Sequence, residues 1–418
     1  MLNRLLDRLL ARTIRTGGLE VKWSDGAVSY YGSGGEPFAR LAFHDATAET
    51  AILKNPELGL GEAYMEGTLA FPDDTLADFM LLLNENWTTF RSIPWLRALS
   101  RVRRVGQRIL VNNDVLHARR NVAHHYDLDE RLYRLFLDSD MQYSCGYFPT
   151  PETDLEEAQL VKKQHIAAKL ALKPGQKVLD IGSGWGGLGI YLAEATGVDV
   201  TGVTLSKEQH RVSNQRARER GVASRARFEL RDYRSLDREF DRIVSVGMFE
   251  HVGAKHYPEF FETCFRLLKP DGVMLLHTIG RQGPGGSTNP FLAKYIFPGG
   301  YIPAVSEIMA PIENSGLLLA DMEILRIHYA ETLKAWRERL RAHWDEAVAI
   351  YDERFCRMWD FYLAGSEAAF RYGEMMVIQI QLTRSQLTLP LTRDYMGAAE
   401  AALGAIERPD DSYSLAGE

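Results

Sequence analysis

The sequence predicts an α/β fold with a doubly wound, mainly parallel sheet over residues 124–398, preceded by a small α+β module. Three observations carry this. Short apolar runs alternate with helical segments of ordinary length from about residue 124 onward, the pattern of a sheet covered on both faces. The first run leads into a Gly-rich turn that opens a helix, KVLDIGSGWGGLGIYLAE at 177–194. Polar and ionisable residues recur where later runs end, which in such a sheet is the ligand-binding edge.

Taken in order, the chain starts with MLNRLLDRLLARTIRTGG, an amphipathic helix with arginines along its length. Its apolar run is too broken for a signal peptide. VKWSDGAVSYYG reads as a hairpin turning at Ser24–Gly26. GLGEAYMEGTLAFPDDTLADFMLLL supplies helical pieces, with Pro72 and Asp73–Asp74 as a helix start. These segments form an N-terminal domain, 1–90. Residues 91–123 form a basic connector: Arg91, Arg97, Arg101, Arg103, Arg104, Arg108, Arg119 and Arg120 are opposed by little acid except Asp114. It reads either as a solvated helix surface or as a contact for an anionic membrane, where each basic residue adds about 1 kcal/mol. The strand candidates are Lys177–Ile181, Val198–Val203, Ala226–Leu230, Arg242–Val246, Val273–His277 and, after a helical stretch Glu331–Tyr372, Met375–Leu382. From 399 to 418 the chain is polar and acidic and is expected to fray.

Composition narrows the function. The 418 residues suffice for two domains. A formal net charge of −7 argues against a general nucleic-acid binder. The three cysteines, Cys145, Cys264 and Cys356, are scattered without a C-x-x-C pair, so neither a zinc site nor a disulfide framework is expected. No run approaches the roughly 18 uncharged apolar residues of a membrane span. The expectation is a cytoplasmic protein, at most peripheral to a membrane.

In the Gly-rich turn the spacing is G-x-G-x-G-G with an Asp before the first Gly, which departs from the dinucleotide fingerprint G-x-G-x-x-G. D-I-G-S-G-W-G resembles instead the nucleoside-binding turn of class I S-adenosylmethionine (SAM) methyltransferases. That resemblance implies a Rossmann-like sheet in which a late strand, here Met375–Leu382, is an antiparallel edge strand. After the second strand comes GVTLSKEQ, with Thr204 where an NAD fold often has an acid. RDYRSL follows the third, where Asp232 either accepts from an adenine amino group or caps a turn. SVGMFEHVG and LLHTIG follow the fourth and fifth, and place Glu250 and His277 near one crevice. Upstream, HHYDLDERLYRLFLDSDMQYSCGYFP interleaves Tyr126, Tyr133, Tyr143 and Tyr147 with apolar residues, as core packing or as a lid.

MQYSCGYF, VLDIGSGWGG, GVTLSKEQ, DRIVSVGMFEHVG, LLHTIG and HYAETLKAW occur here in that order. Together they resemble cyclopropane-fatty-acid-phospholipid synthases, relatives of the mycolic acid cyclopropane synthases, over about residues 50–384. The resemblance implies addition of a methylene bridge from SAM across a cis double bond of a phospholipid acyl chain. It implies a bound bicarbonate ion caged by Cys145, Glu250, His277, Ile279 (through its backbone) and Tyr329. SAM contacts would fall on Tyr143, Ser144, Gly182, Gly184, Thr204, Leu205, Gln209, Asp232 and Tyr233. No metal is implied. The N-terminal domain would engage lipid, the catalytic domain would form a homodimer, and the protein would sit peripherally at the inner membrane. Two departures stand out: Ser183 replaces a common Cys in the Gly-rich loop, and YDLDERLY replaces Y-D-x-x-N-x-x-F. The rivals are a fatty-acid C-methyltransferase making branched chains, and a non-catalytic lipid-binding protein.

Overall fold

The computed structural model describes residues 3–93 and 128–407. The basic connector and Tyr126 therefore lie largely outside the described residues. The amphipathic start is the helix Asn3–Thr13, which buries Leu6 and Leu10. The hairpin forms as expected: β1 (Gly18–Lys22) and β2 (Val28–Gly32) pair antiparallel around the turn at Gly26, whose φ of +86° suits glycine. With β3 (Phe38–Phe43) and β4 (Leu69–Ala70) they make a small sheet ordered β2-β1-β3-β4. The helix expected to start at Asp73–Asp74 begins later, at Leu76. Both aspartates have positive φ, 54° and 59°, which a helix cannot continue through. Their carboxylates instead reach basic partners, Asp73 to Arg40 and Asp74 to Arg341.

The main sheet has seven strands in the order β10-β11-β9-β8-β5-β6-β7. β5 (Lys177–Ile181), β6 (Asp199–Thr204), β7 (Ala226–Leu230), β8 (Phe240–Val246) and β9 (Leu268–Arg281) are parallel. β9 extends well beyond the apolar run Val273–His277 that announced it. β11 (Met375–Thr383) is antiparallel to both neighbours, as expected of the last strand. It is not outermost, however: β10 (Leu318–Leu325) pairs along its other side. β10 mixes Asp321 and Glu323 with half-exposed Leu319 and Met322, so it shows no clean apolar run.

The chain winds from β5 outward to β7, then returns to place β8 against the other side of β5. The carboxyl ends of β5 and β8 therefore flank a topological switch point, where such sheets bind ligands. The expected long helical stretch is three helices, His328–Ala342, Trp344–Ile350 and Glu353–Arg371. The last of these packs on the N-terminal module. Tyr64 donates to buried Asp360 at 2.8 Å, and Arg357 donates to the Met65 carbonyl at 3.0 Å. One apolar cluster runs from Leu6 through Phe79 and Trp336 to Val377, so the module shares its core with the larger fold. Of the tail expected to fray, 399–418, the described part is instead helical, in the helix Asp394–Glu407; residues 408–418 lie outside the described residues. This helix buries Leu403 and hydrogen-bonds Glu400 to His165 on the helix Leu155–Lys169.

Candidate active site

The Gly-rich turn leaves β5 with its N–H groups hooked to the end of β6: Gly182 and Ser183 both donate to the Val203 carbonyl, at 3.0 and 3.1 Å. Gly182 has φ +82°, and a Cβ there would lie 2.8 Å from Met248. Gly186, at φ +83°, caps the helix Gly187–Thr196 and leaves no room for a Cβ, which would meet Ser213 at 2.7 Å. The turn thus needs glycine for conformation and for close approach.

A cleft opens above this turn at the switch point. All nine residues expected to contact SAM line it: Tyr143, Ser144, Gly182, Gly184, Thr204, Leu205, Gln209, Asp232 and Tyr233. The Thr204 hydroxyl donates to Gln209 Oε1 at 2.8 Å, and Ser206 caps the following helix by accepting from Gln209 N–H at 3.2 Å. Of the two readings the sequence leaves open for Asp232, the turn cap is present, and a place on the cleft lining is what the adenine contact requires. Asp232 lines the cleft and caps a turn through Arg234 N–H, while the Arg234 guanidinium grips its two oxygens at 3.0 and 2.7 Å. Asp180, at the end of β5, was passed over as a site residue. It is buried, lines the cleft, and its Oδ2 has no hydrogen-bond partner among the described residues. Burial pushes its carboxyl up to about 7, against the pull of Lys162.

Met141–Ser144 form one wall, and the chain runs on from there through Cys145 to Phe148. Two helices hold it. From Leu155–Lys169, Lys162 donates to Gln142 Oε1 and Ser144 Oγ at 2.8 Å each, and Gln159 donates to the Ser144 carbonyl at 2.9 Å. From His328–Ala342, Thr332 Oγ1 accepts from Gly146 N–H at 2.9 Å and His328 Nδ1 from Phe148 N–H at 3.0 Å. Lys162 escaped sequence reasoning because a lysine in EEAQLVKKQH looks like a solvent-facing residue. Only its position against the sheet reveals it.

The five residues assigned to the bicarbonate cage lie beside the cleft rather than on its lining. Glu250 and Ile279 meet directly: the Ile279 N–H donates to Glu250 Oε1 at 2.5 Å. The Ile279 amide is thus engaged by protein. Glu250 Oε2 is buried without a partner among the described residues. Burial raises the Glu250 carboxyl, while the Ile279 bond opposes the shift. His277, two residues earlier on β9, is 2 % exposed and held well below the usual imidazole range by burial and by the charges of Lys162, Lys169 and His165. Burial likewise pushes the Cys145 thiol far up, which leaves it protonated and unsuited to nucleophilic attack. Tyr329 packs edge-on to Trp336, which stacks on Tyr143 with ring centroids 5.0 Å apart. Tyr143 in turn shares a hydroxyl contact of 2.9 Å with Tyr362.

A donor of SAM's chemistry fits this cleft. Its cationic ammonium suits the unpartnered Asp180 oxygen, and its sulfonium suits the aromatic wall. No group of three or more His, Cys, Asp or Glu residues able to hold a metal occurs among the described residues.

Comparison with known proteins agrees. Residues 114–380 match the family model "Mycolic acid cyclopropane synthetase", and residues 5–90 match a domain of unknown function. The chain is 40% identical over 333 residues to the cyclopropane-fatty-acyl-phospholipid synthase of Escherichia coli K12, covering 80% of this chain and 85% of that one. It is 36% identical over 393 residues, 91% of either chain, to the tuberculostearic acid methyltransferase of Mycobacterium tuberculosis H37Rv. A solved mycolic acid cyclopropane synthase in complex with SAH and CTAB superposes with a TM-score of 0.61 at 36% identity, covering 63% of this chain and 97% of that one. The fold, the SAM cleft and these matches together place the chain in the mycolic acid cyclopropane synthetase family, as a SAM-dependent methyltransferase.

Proposed function

We propose that the enzyme builds cyclopropane rings on unsaturated phospholipid acyl chains, adding the SAM methyl carbon across a cis double bond. The observation that carries this reading is the half-paired Glu250 carboxylate, buried beside the SAM cleft with one oxygen tied to Ile279 and the other unpartnered. An alkene has no proton to lose before attack. Methyl transfer therefore leaves a carbocation, and ring closure requires loss of a proton from the new methyl group. A site for that chemistry needs alignment, exclusion of water and a proton acceptor.

Bicarbonate suits this site as a small, replaceable base for that proton. Glu250 Oε2 would accept its O–H, and His277 and Tyr329 would donate to its oxygens. The protonated state of Cys145 keeps its thiol from competing as an alkylatable nucleophile. Tyr143, which lines the cleft and is backed by Trp336 stacked against it, offers a ring to cationic charge, worth about 0.5–2 kcal/mol.

The resemblance and the lipid-acting relatives support a peripheral encounter with the inner membrane and a homodimer. No helix among the described residues is long and apolar enough to cross a membrane. Added salt should weaken binding to anionic vesicles, and sedimentation should give twice the chain mass. A second reading is favoured by the match to a tuberculostearic acid methyltransferase over 91% of either chain. A hydride shift before proton loss would then give a methylene branch. Mass spectrometry of phospholipids incubated with SAM, combined with NMR of olefinic protons, separates the two. Gain of CH₂ with loss of olefinic signal supports cyclopropanation, and gain with an exocyclic olefin supports branching. No gain refutes both.

A further inference from the structure

We propose that Gln379 and Lys169 set the tautomer of His277, so that Nδ1 is an acceptor and the ring proton sits on Nε2. The inference rests on the reading of His277 as a hydrogen-bond donor at the reaction centre. β9 and β11 pair with His277 opposite Gln379, so the two side chains share one face of the sheet. Both are buried, and Gln379 Nε2 lies 3.2 Å from His277 Nδ1.

An amide can be turned either way, and Lys169 decides which. Its ammonium lies 2.8 Å from the other end of the Gln379 amide. An ammonium has donors only, so it must meet the amide oxygen. The amide NH₂, also donor only, is then left to face Nδ1, which must accept. A neutral imidazole carries one N–H, and it is therefore on Nε2. Lys169 is itself held. It is 1 % exposed, pairs with Glu323, and its carbonyl accepts from Gln381 at 2.5 Å. Glu323 also takes His165 Nε2 at 2.7 Å.

The chemical consequence concerns the methyl donor. With Nδ1 engaged by Gln379 and Nε2 protonated, His277 presents no bare nitrogen lone pair to a sulfonium. It can donate a hydrogen bond without risk of being methylated. Gln379 and Lys169 are thus positioning residues that touch neither SAM nor acyl chain.

The test is Gln379→Glu, nearly isosteric and able to keep Lys169 as a partner. The introduced carboxylate only accepts, so it should move the His277 proton to Nδ1. Two-bond ¹H–¹⁵N correlation spectra of histidine-labelled protein, assigned with His277→Asn, report the tautomer. Wild type should show Nε2–H and the variant Nδ1–H. The kcat should fall about 100-fold or more, as wrong-tautomer histidines do elsewhere, with the Kd for SAM within threefold. A wild-type Nδ1–H signal, or an unchanged tautomer in the variant, overturns the proposal. A switched tautomer with unchanged kcat upholds it but removes His277 from the proposed chemistry. Lys169→Met gives an independent arm: with the amide free to turn, His277 should become a mixture of tautomers, and a pure Nε2–H signal would count against Lys169 as the anchor.

Discussion

Lys162 Nζ lies 2.8 Å from Ser144 Oγ and 2.8 Å from Gln142 Oε1, with none of its surface exposed. One buried cation thereby fixes the segment that walls the SAM cleft and carries Cys145. Lys162→Met keeps the length and apolar volume but leaves both acceptors without their donor. SAM affinity should fall about tenfold, a loss of about 1.4 kcal/mol, measurable by titration calorimetry. An unchanged affinity would mean that the wall holds itself.

The same lysine gives a stability signature. Burial pulls it down from 10.5 to about 8, against the pull of Asp138. The folded value lies below the unfolded one, so its cost is full below pH 8 and is relieved as pH rises from 8 to 10.5. The unfolding free energy of wild type should gain on Lys162→Met across that window by something on the order of 3 kcal/mol. Urea melts of the two proteins at pH 7.5 and pH 10 measure the difference. Parallel behaviour would show that Lys162 does not titrate there.

Much of this was legible in the chain, and the exceptions share a cause. β5 is bounded as the sequence suggested because an apolar run between glycines has few alternatives. The nine residues of the cleft were named by the family resemblance of their motifs; converging strand ends account for those that follow β5, β6 and β7, whereas Tyr143 and Ser144 come from a loop upstream of the sheet. β10 was hidden because its outward-facing residues are mixed, and the Asp394–Glu407 helix because its alanine- and glycine-rich run has no strong apolar stripe and leads into a polar, acidic segment. Lys162, Lys169, Gln379 and Asp180 form the polar interior beneath the site. A polar residue inside a helix or strand looks solvent-facing until tertiary contacts bury it, and those contacts span up to 212 positions in the chain.

Asp180 supplies a second handle on SAM. Its carboxyl is pushed up to about 7 by burial, and its Oδ2 has no partner among the described residues. The carboxylate attracts a cationic ligand, and its protonated form does not. SAM should therefore bind more weakly as pH falls below 7, by up to about tenfold per unit. Asp180→Asn should bind weakly throughout and flatten that dependence. A pH-independent Kd in wild type would exclude Asp180 as the counter-charge.

Glu250→Gln separates binding from chemistry. The amide can still accept from Ile279 N–H through its oxygen, but it loses the second carboxylate oxygen. Product formation should fall at least 100-fold, the scale of a lost general base, while SAM affinity stays within threefold. Collapse of SAM binding would move Glu250 out of the base site and into the cofactor site.

The polar clamp on the C-terminal helix should hold best at mildly acid pH. His165 sits between Glu323 and Glu400. Burial opposes the charged form of Glu323, but hydrogen bonds from His165 and Lys169 bring its carboxyl down to about 2. Its contribution is present above about 4.5 and is lost as pH falls toward 2. Burial also opposes the charged form of His165, yet the two glutamates raise its pKa above 6.5. That contribution is present below 6.5 and is lost as pH rises through the raised value. The two windows overlap between about pH 4.5 and 6.5. Hydrogen exchange of residues 394–407, corrected for intrinsic rates, should be slowest there and should speed up on either side. Glu400→Gln removes one acceptor charge from His165, so it should bring the alkaline loosening to lower pH and leave the acid limb in place. A variant whose alkaline limb does not move would show that apolar contacts such as Leu403 hold the helix without His165.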